Sequence, residues 1–286
     1  MRSTPTTQQQ EWTEIISPQT SLFDLKLKEV WRYRDLLLMF VKRDFVSNYK
    51  QTILGPIWFF LQPLLTTLIF VIVFGRIAKI PTNGVPMMVF YLAGITMWNY
   101  FSECLNKTAT VFKDNANIFG KVYFPRLVMP LSIVISNLVR FGIQFFLFLV
   151  VWGWYLWKGQ VHPNIFILLT PVLVMLMAVM GLGAGMIISS LTTKYRDLVF
   201  LLTFGVQLMM YATPIIYPLS TIPAKYKIFV QANPVTAIVE SFRYGFTGDG
   251  AFSWGWLLYS AGFSLVLLVI GTVIFNRVEK KFMDTV

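Results

Sequence analysis

Six long apolar stretches dominate this sequence and decide what it can fold into. A helix that crosses a bilayer needs about 20 mostly apolar residues, and helices satisfy their own backbone hydrogen bonds in lipid. Only 13% of the residues are charged, against about 25% in soluble domains. The pattern therefore predicts an all-α integral membrane protein with six transmembrane helices, at 51–75, 80–102, 127–157 (interrupted by Arg140), 159–193, 198–224 and 250–276.

The distribution of lysine and arginine predicts the orientation of these helices. Of the 24 Lys and Arg residues, 17 fall in the two termini and in the loops after the second and fourth stretches, whereas six fall on the other side. Loops rich in Lys and Arg stay in the cytoplasm. Both termini are therefore expected to be cytoplasmic, and the net charge of +11 needs no nucleic-acid partner to explain it.

The segments outside the apolar stretches divide the chain further. Residues 1–21 are polar and predict a flexible cytoplasmic tail, 51–276 form the six-span domain, and 277–286 form a second cytoplasmic tail. Apolar and basic residues alternate along 22–42, which predicts an amphipathic interface helix on the cytoplasmic membrane surface. Residues 225–249 are too polar to span but keep an apolar side, and Asn233-Pro234 divides them. This predicts two short helices that either dip back into the outer leaflet or cap the outer face.

Residues for catalysis or metal binding are missing from the pattern. There is no glycine-rich phosphate loop, and the single histidine, His162, has no neighbours at metal-ligand spacing. Acidic residues are nearly absent from the predicted spans, although carboxylates usually serve ion-coupled transporters there. We therefore expect a transport subunit that is not an enzyme, binds no metal and receives its energy from a partner protein.

Four groups of residues carry a resemblance to a known family. They are Arg43-Asp44 with Tyr49-Lys50, Leu54-Gly55-Pro56-Ile57-Trp58 and Pro63; Phe124-Pro125-Arg126 with Pro130; Tyr195-Arg196-Asp197; and Thr213-Pro214-Ile215-Ile216-Tyr217 followed by Ile222-Pro223 and Asn233-Pro234. In this order and at this spacing, the chain resembles the permease subunit of ABC exporters of cell-surface polysaccharides, which handle lipid-linked O-antigen, capsule or teichoic acid. The resemblance covers about residues 22–281. It implies that residues 225–249 form a re-entrant outer gate, with Asn233, Pro234 and Phe242 as gate residues.

The resemblance implies a partner and a coupling surface. It implies a homodimer in the bacterial inner membrane that pairs with two copies of a cytoplasmic ATPase. ATP and magnesium would bind to that ATPase, and no cofactor would bind to this chain. The interface helix would contact the ATPase, and the coupling residues would be Lys113, Asp114, Asn115, Tyr195, Arg196 and Asp197.

Candidate substrate contacts follow from residue chemistry. Aromatic faces suit a sugar polymer in transit, so Trp58, Phe59, Tyr211 and Tyr217 are channel candidates, against membrane anchoring or helix packing as the alternative. Arg140 is either a channel cation or the structural partner of Glu103. Cations bind phosphate, so Lys42, Arg43 and Lys50 could receive the lipid pyrophosphate, against plain positive-inside charge.

Three other functions stay open at this level. The chain could be a permease that exports a drug or another small amphiphile, which a dry, closed dimer interface would favour. A lipid-linked glycosyl transferase would need clustered acidic or histidine residues at a membrane face, and the sequence shows none. A passive channel would need no ATPase.

The fourth apolar stretch contains three glycines that we interpret as small residues for close helix packing: Gly181, Gly183 and Gly185.

Overall fold

A computed structural model describes residues 27–47, 50, 55–119, 124–195 and 197–282, without the side chains of 27, 28, 56 and 279–282. All regular secondary structure in these ranges is helical, which confirms the all-α prediction. The α-helices are α1 Leu27–Arg32, α2 Arg34–Ser47, α3 Trp58–Phe70, α4 Met87–Ala109, α5 Val111–Asp114, α6 Ala116–Phe119, α7 Val128–Trp157, α8 Thr170–Thr192, α9 Leu198–Ala212, α10 Ala224–Ala232, α11 Pro234–Thr247 and α12 Trp254–Phe282.

Four helical segments are long and apolar enough to cross a membrane. They are Trp58–Ile77, Val128–Trp157, Ile165–Thr192 and Trp254–Val278. The first joins α3 to a π-helix at Val71–Ile77, and the third joins a 3-10 helix at Ile165–Leu169 to α8. Of the other two predicted spans, one corresponds to α4, which has 23 residues, and one to α9, which has 15 residues. The count of six spans therefore stays a prediction.

The α4 helix lies at the centre of the bundle. Most of its residues from Val89 to Leu105 are buried, and it packs against α3, α7, α8, α9 and α11. Because α4 is surrounded by protein on many sides, it can carry the buried Thr96 and the half-buried Asn99. Its lower hydropathy is thus explained by burial in the bundle and does not argue against a position within the membrane.

Glycines let α8 approach its neighbours on two sides. A Cβ on Gly181 would lie 2.8 Å from the Cβ of Cys104, and one on Gly185 would lie 2.5 Å from the Cβ of Thr108, so both glycines face α4. A Cβ on Gly183 would lie 2.7 Å from the backbone of Leu267 in α12. The interpretation of these glycines as helix-packing residues is confirmed.

One end of the bundle, here the α2 end, is built from α1, α2, α5 and α6. The apolar side of α2 packs on α7, with Leu37 and Phe40 buried and the Phe40 ring 5.7 Å from that of Phe124. A single helix was predicted at 22–42, but the structure has α1 and α2 with a turn at Tyr33. The helical bonding continues across this turn in part, because Leu37 N donates to Tyr33 O at 3.0 Å. Residues 22–26 and the tail 1–21 lie outside the described residues.

The opposite end, here the α11 end, is built around α11. Thirteen of its 14 residues are buried, whereas α10 has none. The last four carbonyls of a helix need partners from elsewhere, and here His162 N, Asn164 and Trp152 donate to carbonyls at 244–247 over 2.7–3.2 Å. Gly248 ends α11 at φ 78°, and a Cβ there would lie 2.5 Å from His162 O.

Candidate functional site

A polar cluster lies between α4 and α7, on the α2 side of the bundle. Glu103 Oε2 lies 2.9 Å from Lys107 Nζ and accepts from Arg140 Nη1 at 3.4 Å. Lys107 Nζ also donates to Asn137 Oδ1 at 3.4 Å. The Arg140 side chain is 12% exposed. Arg140 lies about 18 Å from the start of α7 at Val128, at a rise of about 1.5 Å per residue. The ion pair with Glu103 therefore supports the interpretation of Arg140 as a structural partner of that residue.

The predicted channel residues form two groups. Phe59 lies beside the cluster, with its ring centroid 5.5 Å from the Arg140 guanidinium carbon and 5.8 Å from the Phe45 ring, and Trp58 is 48% exposed. At the far end of α9, Tyr217 Oη donates to Tyr211 O at 3.0 Å, and the Tyr211 side chain is exposed. The structure thus places one aromatic group near each end of the bundle.

The three predicted phosphate-binding cations differ in how free they are. Lys42 and Lys50 are exposed. Arg43 donates to Asp44 Oδ1 at 2.8 and 2.9 Å and to Asn115 Oδ1 at 3.2 Å, and its guanidinium stacks over Phe40 at 4.9 Å. An incoming phosphate would have to compete with the Asp44 carboxylate for Arg43, so the geometry favours Lys42 and Lys50 for that role.

The predicted coupling residues before α7 lie on a short, kinked segment made of α5 and α6. Lys113 and Asp114 are exposed, and Thr110 Oγ1 donates to Asp114 Oδ2 at 2.5 Å. Asn115 is buried and donates from Nδ2 to Val111 O at 3.0 Å while accepting from Arg43. Two of the three side chains can therefore meet a partner protein, whereas Asn115 ties the segment to α2.

The second predicted coupling segment follows α8. Tyr195 and Asp197 are exposed, and Arg196 lies outside the described residues. Thr192 Oγ1 donates to Ala109 O at 2.6 Å, which places the end of α8 beside the start of the α5–α6 segment. Residues 113–115 therefore lie at the same end of the molecule as Tyr195 and Asp197, which follow about 80 residues later in the chain.

The predicted gate residues have mainly structural contacts in this conformation. Asn233 caps α11 by accepting from Val235 N at 3.1 Å and donates to Thr213 Oγ1 at 2.9 Å. Pro234 is the first residue of α11 and is buried. Phe242 is buried in an aromatic cluster, 4.8 Å from the Phe246 ring and 5.4 Å from the Phe148 ring.

Sequence reasoning missed the buried ion pair of Glu240 and Arg243. Arg243 entered that reasoning only as one of six external basic residues, yet Nη1 lies 2.6 Å from Glu240 Oε1 and both side chains are 2% exposed. The signal that could have found it is an acidic and a basic residue three positions apart on an otherwise apolar segment, since such residues face each other on a helix.

A groove of about 800 Å³ lies against α7 and α8. Its lining is almost wholly apolar and includes Leu138, Phe145, Leu149 and Val174. Such a surface offers few hydrogen-bond partners to sugar hydroxyls, so it does not suit the passage of a carbohydrate.

Comparison with known proteins gives a consistent family. The sequence profile of the ABC-2 type transporter family matches residues 35–247. The O-antigen export system permease protein RfbA of Myxococcus xanthus is 29% identical over 91% of this chain and 98% of that protein. An RfbA of Klebsiella pneumoniae is 29% identical over 87% of this chain and 94% of that protein. The polysialic acid transport protein KpsM of Escherichia coli is 24% identical over 85% and 93%.

Proposed function

The chain belongs to the ABC-2 type transporter family, and on this premise we propose that it is the permease subunit of an ATP-driven exporter of lipid-linked polysaccharide such as O-antigen. The observation that carries the proposal is the near full-length match to O-antigen and capsule permeases. The printed functions of these relatives favour polysaccharide over a drug or small amphiphile as the substrate. Membership of a transport family also speaks against the glycosyl transferase alternative.

The working assembly is a homodimer with two copies of a cytoplasmic ATPase, which binds ATP and magnesium. A second copy is supported by two helices that this chain leaves largely uncovered: α9 buries only Val206 among its 15 residues, and α3 exposes Leu65 and Ile69. The apolar groove on α7 and α8 offers no polar passage within one chain. A path between two copies would be lined by residues from both.

The α2 end faces the cytoplasm of a bacterium, with both termini on that side of the inner membrane. Six spans, with α4 and α9 counted among them, agree with this orientation because basic residues cluster at the α2 end. Closure of the ATPase on nucleotide would push the exposed Lys113, Asp114, Tyr195 and Asp197. The Arg43–Asn115 contact would pass this movement to α2 and, through Phe40 and Phe124, to α7.

The substrate would enter with its lipid pyrophosphate near Lys42 and Lys50. Its sugars would pass Trp58 and Phe59, the polar cluster around Arg140, and then the pair of Tyr211 and Tyr217. It would leave beside α10 and α11, which act as re-entrant outer gate helices. This order follows the two aromatic groups from the α2 end to the α11 end, and flat ring faces allow sugars to slide without a fixed register.

The test is co-purification of the tagged chain from native membranes, followed by an ATPase assay and by surface polysaccharide staining of a deletion strain that carries each variant. Replacement of Asp114 by Ala and of Asn115 by Leu should lower export at least fivefold. Lys158→Ala, at the exposed residue that follows α7, is the matched control and should keep export.

A two-plus-two complex whose ATP hydrolysis responds to these changes supports the proposal. Recovery of the chain without an ATPase, or normal surface polysaccharide in the deletion strain, would contradict it.

A further inference from the structure

The α11 helix contains an ion pair that is buried on all sides. Arg243 Nη1 lies 2.6 Å from Glu240 Oε1, and the two side chains are each 2% exposed. Removing two charges from water is costly, and apolar residues of similar volume often stabilise a protein as well or better. A pair kept at this depth therefore calls for a role beyond stability.

The pair connects α11 to three other elements. Arg243 Nη2 donates to Pro214 O at 3.0 Å, in the turn that follows α9, and its guanidinium carbon lies 3.8 Å from the ring centroid of Phe90 in α4. Glu240 Oε2 accepts from Ala251 N at 3.1 Å, just before α12. The planar fork of arginine can serve several acceptors at fixed angles, whereas a lysine ammonium acts as a point charge.

The turn at 213–217 is bonded to this ion pair. Thr213 is extended (φ −99°, ψ 143°), so the helical bonding of α9 ends there. The carbonyl of Pro214 is instead bonded to Arg243. A Cβ on Gly94 of α4 would lie 3.0 Å from Ile215 and 3.2 Å from Arg243 Nη2, so α4, the turn and Arg243 are in close contact.

We propose that Arg243, oriented by Glu240, is a positioning residue that fixes the 213–217 turn and so holds Tyr217 at the outer opening of the path. Tyr217 is the aromatic side chain that this turn carries, and its hydroxyl returns to Tyr211 O at 3.0 Å. The inference rests on the proposed function, because it gives Tyr217 a place at the exit. Glu240 orients Arg243 and meets no substrate.

The test separates stability from positioning. Arg243→Met leaves the Glu240 carboxylate buried without its cation, so it should lower the thermal unfolding temperature in lipid nanodiscs. The double variant Glu240→Gln with Arg243→Met removes both charges, while the glutamine oxygen can still accept from Ala251 N. We expect it to regain most of the unfolding temperature and yet leave Pro214 O without its donor.

Position is read by a nitroxide label at Ser220→Cys, an exposed site three residues after Tyr217. Cys104, the single native cysteine, is buried, so labelling should be selective. The reference is Ser220→Cys with Glu240 and Arg243 intact. In the double variant we expect a more mobile spectrum and at least fivefold less surface polysaccharide. Arg243→Lys, which keeps the charge opposite Glu240, should also give a mobile label.

A double variant that folds, shows the reference spectrum and exports normally would overturn the proposal, because the pair would then serve stability alone. If the double variant does not fold, the reference spectrum in Arg243→Lys would overturn it equally. The label comparison needs no substrate. If the wild-type protein exports no polysaccharide, the proposed function is contradicted. The spectra would still decide whether Arg243 fixes the turn.

Discussion

At the scale of single residues, two charged clusters lie among the apolar helices that the structure describes, and each contains both a cation and a carboxylate. Arg140 and Lys107 share Glu103, and Arg243 has Glu240. A charge in the middle of a bilayer costs about 2.5–3.5 kcal/mol or more on insertion scales, so each unpaired group would weigh on stability. The partners come from a neighbouring helix for Arg140 and from the same helix for Arg243.

The Glu103 carboxylate, which Lys107 and Arg140 share, predicts which replacement lowers the free energy of unfolding more. Glu103→Gln removes the carboxylate that two cations share, whereas Arg140→Met removes the more deeply placed cation and leaves Lys107 paired with Glu103. Because the Glu103 side chain is 49% exposed, we expect Glu103→Gln to cost only about 1 kcal/mol. Arg140→Met should cost less. Thermal unfolding in nanodiscs, followed by tryptophan fluorescence, measures both.

The double variant Glu103→Gln with Arg140→Met is the control for this pair. It should be more stable than Glu103→Gln alone, because Lys107 is then the one cation of this pair that has lost the Glu103 carboxylate. A larger loss of stability in Arg140→Met than in Glu103→Gln would contradict the prediction and show that Arg140 has a further structural contact.

At the scale of elements, close helix contacts decide how the bundle is assembled. Membrane helices gain little from hydrophobic association in lipid, so they associate through close packing at small residues. Here α8 uses Gly181 and Gly185 toward α4 and Gly183 toward α12, where Gly271 faces the Gly183 backbone. The central position of α4 and α8 depends on these contacts.

A pair of glycines on α12 tests this contact. A Cβ on Gly271 would collide with Gly183 O, whereas one on Gly262 would meet nothing within 4 Å. Gly271→Ala should therefore destabilise the protein by about 1–3 kcal/mol through overpacking. Gly262→Ala, with the same gain in helix propensity, should not destabilise it. Thermal unfolding and size-exclusion profiles after detergent extraction compare the two; equal profiles would argue against the α8–α12 contact.

At the scale of the whole molecule, the two ends differ in the side chains that they expose and bury. The α2 end carries the exposed Lys113, Asp114 and Tyr195 beside its own aromatic cluster. The α11 end carries a buried helix whose final carbonyls are bonded to residues of a neighbouring loop and of α7, and an exposed α10 beside it. This polarity matches a transporter that receives force at one end and releases substrate at the other.

The orientation can be measured by cysteine labelling in intact cells. Cys104 is buried, so it adds little background. We expect Ser220→Cys to react with a membrane-impermeant maleimide added outside spheroplasts, and Lys113→Cys to react only after the membrane is opened. Both sites are exposed, which makes them matched controls for each other. Reaction of both from outside, or the reverse order, would contradict an orientation with cytoplasmic termini.

The sequence by itself determined the membrane class, the helical architecture and some local helix ends, because hydropathy and capping act over a few residues, and its motifs indicated the family. Asn233 before α11 is an example: its side chain caps the helix that Pro234 begins. The sequence also placed the coupling motifs on one side through their charge, and in the structure residues 113–115 lie at the same end as Tyr195 and Asp197.

Only the tertiary structure decided which residues meet across the bundle. Arg140 pairs with Glu103, which lies 37 residues away in the sequence. Arg43 is bonded to Asp44 and Asn115. Arg243, which was predicted to be an external charge, is buried and donates to Pro214 O. The neighbours of α11, the predicted outer gate helix, were likewise visible only in the tertiary structure, where it is buried among α4, α8 and α12. Such pairings depend on how helices pack, and a hydropathy pattern contains no information about which buried face meets which neighbour.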